Sequence, residues 1–278
     1  MSGVPPLAAA TQSSSEIPTA SPPVRQFVRL PRRTPYVVYA ILLITIFVYI
    51  LQSLSSFGSF LGFQGSLGPL TTLRCPYLAT RDLPACYGMK VNELIIAGQW
   101  WRLITPILLH ASLLHVGFNM YALFILGPEL EQHFGHLSFL ALYLLSGFAG
   151  VVLSFLMTDA PSLGASTAVF GLLAAQGVFA YRNQKVFGRR ARAALRSIIN
   201  IAVINLIIGL SPGIDNWGHF GGLLGGLVFS GIASPSYAIE GNEAELELKN
   251  NTPSERIYYA SFVVGAIFLA LAFWGFIR

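Results

Sequence analysis

Gly164-Ala165-Ser166-Thr167-Ala168-Val169-Phe170-Gly171-Leu172-Leu173-Ala174-Ala175-Gln176-Gly177-Val178-Phe179-Ala180-Tyr181 carries no charge from end to end, yet it opens on a serine between small residues. A helix rises ~1.5 Å per residue, so a run of this length approaches the ~30 Å hydrocarbon core of a bilayer. Uncharged runs recur on both sides of it. Upstream, Leu137 to Met157 precedes the turn Asp159-Ala160-Pro161-Ser162. A window between Arg102 and Glu129 is expected to turn helical near Leu113 and to end at Gly127-Pro128, and Tyr36 to about Leu54 supplies a further run. Downstream, a short run from Ser197 to Leu210 leads into Ser211-Pro212-Gly213-Ile214-Asp215, followed by Trp217 to about Ile232 and Ile257 to Ile277. The pattern predicts seven membrane spans, with the serine in the fourth. No repeat of 20 to 50 residues is present, which excludes a solenoid.

Composition supports that reading. The chain of 278 residues is 54% hydrophobic and only 10% charged, with a mean hydropathy of +0.63. Soluble chains carry about 25% charged residues. The net charge of +5 does not point to nucleic acid, because the arginines cluster between apolar runs. Residues 1–34, rich in Pro, Ser, Thr and Ala and closing on Arg25, Arg29, Arg32 and Arg33, read as a flexible basic tail. They do not read as a signal peptide, since the run that follows is long enough to span. Arg182, Lys185, Arg189, Arg190, Arg192 and Arg196 crowd the connection between spans four and five. The positive-inside rule puts both clusters, and hence the N-terminus, on the cytoplasmic face.

The opposite face then holds an outer loop over 55–112 with Cys75 and Cys86. The pair is open to two readings, a single disulfide or two free thiols, and is too sparse for a zinc site. Spans one to six fall within 35–234, and residues 235–256, with Glu240, Glu243, Glu245 and Glu247, read as a solvated acidic linker to the last span over 257–278.

Polar side chains inside spans are costly and need a partner or a purpose. Three places hold them: His110 to Asn119, where His115 and Asn119 share a helix face; Gly164 to Gly171, around Ser166; and Asn216 to Gly222, around His219. Spans two, four and six all enter from the outer face, so Ser166, His219, His115 and Asn119 can share one depth. A serine needs a histidine within reach to become a nucleophile, and the resulting oxyanion needs donors already aimed at it. Gly218, Gly222 and Gly226, with Gly221 and Gly225, form overlapping small-residue rows that permit close helix crossing.

Singly, each residue has a structural reading: Ser166 as a helix cap, His219 as a packed histidine, His115 and Asn119 as interhelical donors. Their conjunction at one depth favours chemistry. No His-Glu-x-x-His string exists, and His110 and His115 lie about 140° apart around a helix, so a zinc protease is excluded. Asp82, Asp159 and Asp215 all fall in loops, which closes an aspartyl mechanism.

The ordered set Trp101-Arg102, His110, His115, Asn119, Glu131 with Gly135, Gly164-x-Ser166 and His219 before a glycine-rich helix resembles the rhomboid family of intramembrane serine proteases. The likeness covers roughly Gly98 to Ser234. It implies an all-α membrane protein with a six-helix core plus a seventh, C-terminal span. Ser166 would be the nucleophile and His219 the general base, without an orienting aspartate. His115, Asn119 and the Ser166 backbone N–H would hold the oxyanion, with His110, Phe170 and Gly164 in support. Trp101, Arg102, Glu131 and Gly222 would be structural.

Two positions depart from the family pattern: Thr167 stands where many relatives have glycine and is expected to tighten the approach to the oxyanion, and Phe170 stands where some members have a tyrosine that stacks on the histidine, a stacking its ring is expected to keep. The resemblance implies transmembrane protein substrates cut in the bilayer of the plasma membrane, near its outer face, with no metal, cofactor or nucleic acid. Oligomeric state and substrate identity stay open at this level. The rival class is a non-catalytic rhomboid-like binder acting in quality control. A transporter would need an intramembrane carboxylate or a broken helix pair, and the sequence offers neither.

Overall fold

The computed structural model describes residues 33–60, 82–242 and 245–278. Most of the basic tail, Cys75 and Glu243 lie outside the described residues. Cys86 is not a free thiol.

The chain is an all-α membrane protein. Helix α1 spans Tyr36–Phe60, and the connection from it to the next long helix carries two short helices, α2 (Leu83–Gly88) and α3 (Asn92–Ile96), and two 3-10 turns at Trp100–Leu103 and Thr105–Leu108. The long helices α4 (Leu113–Phe134), α5 (His136–Met157), α6 (Ser166–Arg182), α7 (Gln184–Ile208) and α8 (Asn216–Ala233) follow. A hairpin of β1 (Tyr237–Asn242) and β2 (Glu245–Asn250) precedes the last helix, α9 (Arg256–Ile277). Among the described residues five helices are long and apolar enough to cross a membrane: α1, α4, α5, α7 and α9. The two that carry Ser166 and His219 fall short of that standard and lie against α5 inside the bundle.

Three expectations need correction. Pro128 does not end span two, because α4 continues to Phe134. A proline removes one backbone donor, a loss that helices buried among neighbours tolerate. Span five starts earlier than Ser197: α7 begins at Gln184, since its arginines and alanines are good helix formers, and bends at Gly188, where φ is +56°. The 235–256 connection is not a plain solvated linker but folds into the antiparallel pair β1–β2, with Tyr237 opposite Asn250 and Ile239 opposite Leu248.

Helices α4, α6 and α8 run parallel, and their N-termini gather at one end of the bundle. Their C-termini are clamped together at the other. Arg182, at the end of α6, donates to the carbonyls of Ser234 and Gly231, and Asn183 donates to Pro235 and accepts from the Tyr237 N–H. Tyr237 reaches His133 of α4, which stacks on Phe179 of α6. Glu131 ties the same end together: its carboxylate accepts the first N–H groups of α1, from Val37 at 2.9 Å and Val38 at 2.8 Å, and touches His136. These helix N-terminal donors have no partner within their own helix, and a carboxylate there also complements the helix dipole.

Glycines set the spacing at the centre. A side chain at Gly222 would collide with the Thr167 carbonyl of α6, and one at Gly226 would collide with Gly171. On the next face of α8, a Cβ at Gly221 would lie 2.7 Å from the Ala149 carbonyl of α5, and one at Gly225 2.6 Å from the Ala149 Cβ. The two small-residue rows of α8 therefore serve two different neighbours, the serine helix and α5.

Candidate active site

Ser166 is the first residue of α6 and His219 stands in the first turn of α8, so the close approach of these helices brings them together. His219 Nε2 lies 2.9 Å from Ser166 Oγ. Phe170, one turn along α6 from Ser166, stacks on the imidazole with ring centroids 4.3 Å apart and planes 13° from parallel. His219 Nδ1 is buried with no hydrogen-bond partner among the described residues. Asp215, four residues earlier, caps α8 instead, accepting from the Gly218 N–H at 2.8 Å. The ring is thus oriented by stacking and by its helix rather than by a carboxylate.

The α4 side is less ready. His115 lies against the serine segment, since a Cβ on Gly164 would sit 2.8 Å from both Cε1 and Nε2 of its ring. Gly164 has φ +139°, a conformation that L side chains rarely adopt, so both backbone and neighbour require glycine there. The Ala111 N–H donates to His115 Nδ1 at 3.4 Å. In neutral imidazole that places the proton on Nε2, the nitrogen facing the Gly164 side. Asn119 is nearby on the same helix, but its Nδ2 donates to the His115 carbonyl at 2.9 Å. One of its two amide hydrogens remains for another acceptor. The Ser166 N–H belongs to the first turn of α6, where helix geometry leaves backbone donors without intrahelical partners.

His110 supports the serine segment directly, accepting the Ala165 N–H at its Nε2 at 3.3 Å, while its ring meets that of His115 edge to face at 5.0 Å. Its own backbone is held by Gln52 of α1, whose side-chain amide accepts the His110 N–H at 3.0 Å and donates to its carbonyl at 3.2 Å. Gln52 is buried and the sequence reading passed over it. The signal was available: an amide inside an otherwise apolar span needs a partner.

The remaining candidates lie apart from the chemistry. Arg102 is buried in the connection between α1 and α4 and donates to the carbonyls of Met89 and Cys86, each at 2.7 Å, and to Gln99 at 2.8 Å. Trp101 is half-exposed and donates to the Tyr87 carbonyl at 2.8 Å. Glu131 sits at the opposite end of α4 from His115. Thr167 turns its side chain into the seam of α5 and α8. A Cβ at Gly150 would lie 2.5 Å from Thr167 Cβ, and one at Gly218 3.1 Å from its Cγ2. The branched side chain fills space that two glycines leave open.

Comparison with known proteins agrees with the geometry. The Rhomboid domain family matches residues 97–236, half of the chain and the part that holds His110, His115, Asn119, Gly164, Ser166, Phe170 and His219. The chain is 45% identical to rhomboid protease GluP of Bacillus subtilis (strain 168) over 141 residues, covering 50% of this chain and 27% of that protein. It is 37% identical to RHOMBOID-like protein 2 of Arabidopsis thaliana over 191 residues, 66% of this chain and 58% of that one. To RHOMBOID-like protein 5 of the same plant it is 35% identical over 203 residues, 68% of this chain and 63% of that one. The matches span between about a quarter and two thirds of these relatives' own lengths. A membrane bundle that seats a serine against a histidine on two glycine-spaced helices, and a domain match over that same bundle, lead to one conclusion: the chain belongs to the rhomboid family.

Proposed function

We propose that this protein is an intramembrane serine endopeptidase that hydrolyses a peptide bond in or near the transmembrane segment of membrane-protein substrates. The observation that carries the reading is the 2.9 Å contact between His219 Nε2 and Ser166 Oγ among membrane-crossing helices. Ser166 Oγ attacks the scissile carbonyl carbon while His219 Nε2 takes its proton. The negative oxygen falls to the Ser166 N–H, the Nε2–H of His115 and the free amide hydrogen of Asn119. Collapse of the tetrahedral intermediate breaks the C–N bond, and His219 returns the proton to the leaving amine. Water then attacks the ester carbon with His219 again as base, and His219 returns that proton to Ser166 Oγ as the ester C–O bond breaks and the acid product leaves.

A helical substrate hides its carbonyls in hydrogen bonds and must unwind locally to be cut. The arginine-bearing ends of α6 and α7 face away from the site, which supports a cytoplasmic N-terminus and a site opening to the outer face of the plasma membrane. The proposed domain organisation is a cytoplasmic tail over 1–34, a catalytic core over 35–234, a connecting hairpin segment and a final span.

Cleavage of a single-span reporter by the full chain in liposomes tests the reading. Product formation that a serine-directed fluorophosphonate blocks supports it. Tight binding of the reporter with neither cleavage nor labelling would contradict it and favour the non-catalytic binder.

A further inference from the structure

Lys90 is a buried ionisable side chain for which the proposed chemistry has no use. It lies in the outer loop between α2 and α3 and has no exposed surface. Its Nζ donates to the carbonyl of Thr158 at 2.5 Å and to that of Ala160 at 2.9 Å. Both carbonyls belong to the turn that leaves α5 and leads towards Ser166. Its backbone joins the same segment: the Lys90 N–H donates to the Ser162 carbonyl at 2.9 Å, and the Ser162 N–H donates back at 3.2 Å. Asn92 fastens the turn from one side through the Phe155 and Thr158 carbonyls and Asp159. Further along, Gly164 N–H donates to the Pro106 carbonyl at 2.9 Å and Ala165 N–H to His110. The chain entering the serine is thus pinned to the outer loop at successive points, and Lys90 is the charged one.

We infer that Lys90 is a positioning residue for Ser166, its ammonium group anchoring the 158–162 turn to the outer loop and so fixing the approach of the chain into the nucleophile. The inference rests on the protease reading for its kinetic consequence, but not for its structural one. A lysine at the C-terminal end of α5 also complements the partial negative charge of that helix end.

Burial pushes the Lys90 ammonium down to about 8, while the facing carboxylates Asp215, Asp159 and Glu93 pull it up. In the unfolded chain the group titrates near 10.5. Between these values the unfolded state binds more protons than the folded one, so the Lys90 contribution to stability rises with pH. Over the same window the charge that grips the two carbonyls is lost. Stability and serine positioning should therefore move in opposite directions above pH 8, which a purely structural lysine would not produce.

The test follows fluorophosphonate labelling of Ser166 and thermal unfolding of the full chain in liposomes from pH 7 to 9.5, for wild type, Lys90→Arg and Lys90→Met. Wild-type labelling should fall roughly tenfold on the alkaline side relative to Lys90→Arg, which keeps its charge, while Lys90's contribution to the unfolding midpoint does not fall. Lys90→Met should label slowly at every pH. Hydrogen exchange of amides 158–166 should be faster in Lys90→Met than in wild type. Equal alkaline profiles for wild type and Lys90→Arg, or wild-type labelling by Lys90→Met, would overturn the inference. If wild type does not label at all, the protease reading fails by itself. Exchange then decides the role of Lys90, and unchanged protection of 158–166 in Lys90→Met would overturn it.

Discussion

Helices α6 and α8 and the helices around them are built on opposite principles. The outer set, α1, α4, α7 and α9, is long and apolar and turns large side chains such as Phe47, Phe118, Ile204 and Phe262 outward. The inner pair is short, rich in glycine, alanine and polar groups, and packs backbone against backbone at Gly222–Thr167 and Gly226–Gly171. Between apolar helices in lipid there is little hydrophobic gain on association, so close packing and hydrogen bonds must hold the inner pair together. What the outer set gains by matching the bilayer, the inner pair gains by excluding it, and the proposed chemistry needs that exclusion.

The largest break in this contrast should come from adding bulk at the inner contact. Gly222→Val pushes on the Thr167 carbonyl and should separate Ser166 from His219, costing about 3 kcal/mol or more of stability and all detectable fluorophosphonate labelling. Gly117→Ala and Gly265→Ala, where nothing lies within 4 Å, should cost only a few tenths of a kcal/mol or prove neutral. Thermal unfolding in one detergent compares the three, and equal losses would show that the inner spacing is not special.

Gly164→Ala comes next. Its φ of +139° and the His115 ring both oppose a methyl group, so labelling should drop about a hundredfold, with less loss of stability than in Gly222→Val. Glu131→Ala addresses the other end of α4. It strips partners from the Val37 and Val38 N–H groups and should lower stability by about 2 kcal/mol, while the labelling rate of the folded fraction stays within twofold. A large change in that rate would mean the two ends are not separable. The smallest effect belongs to the stack on His219: Phe170→Leu should slow labelling about tenfold, and Phe170→Tyr should keep the wild-type rate, because the ring face and not a hydroxyl does the orienting. Equal rates for both would remove the stack from the account.

The same contrast explains what the sequence made legible. The outer helices announce themselves by hydropathy, and Tyr36, Leu113 and Met157 all fall at helix ends where the apolar runs predicted them. The inner helices are legible by spacing instead, through Ser166, His219 and the glycine rows. What escaped reading was polar and long-range. Gln52, Lys90 and Asn92 meet partners 58 to 70 residues away, distances over which periodicity carries no information. The hairpin of β1 and β2 was hidden by its glutamates, although Leu246 and Leu248 alternate with Glu245, Glu247 and Lys249 as a strand requires. Pro128 misled because a helix-breaking rule from water was applied inside a bundle. At the site itself, Asn119 lies one turn from His115 on α4 as the spacing predicted, yet its bond to the His115 carbonyl depends on a rotamer that no spacing rule supplies.

The central claim is that the Ser166–His219 contact is a reactive dyad and not a packing hydrogen bond. Fluorophosphonate labelling and single-span reporter cleavage by wild type, Ser166→Ala and His219→Ala, in one liposome preparation, test it most directly. The account predicts labelling and cleavage by wild type and neither by the two variants, with all three proteins folded. Cleavage that survives Ser166→Ala, or labelling at the wild-type rate in His219→Ala, would contradict it.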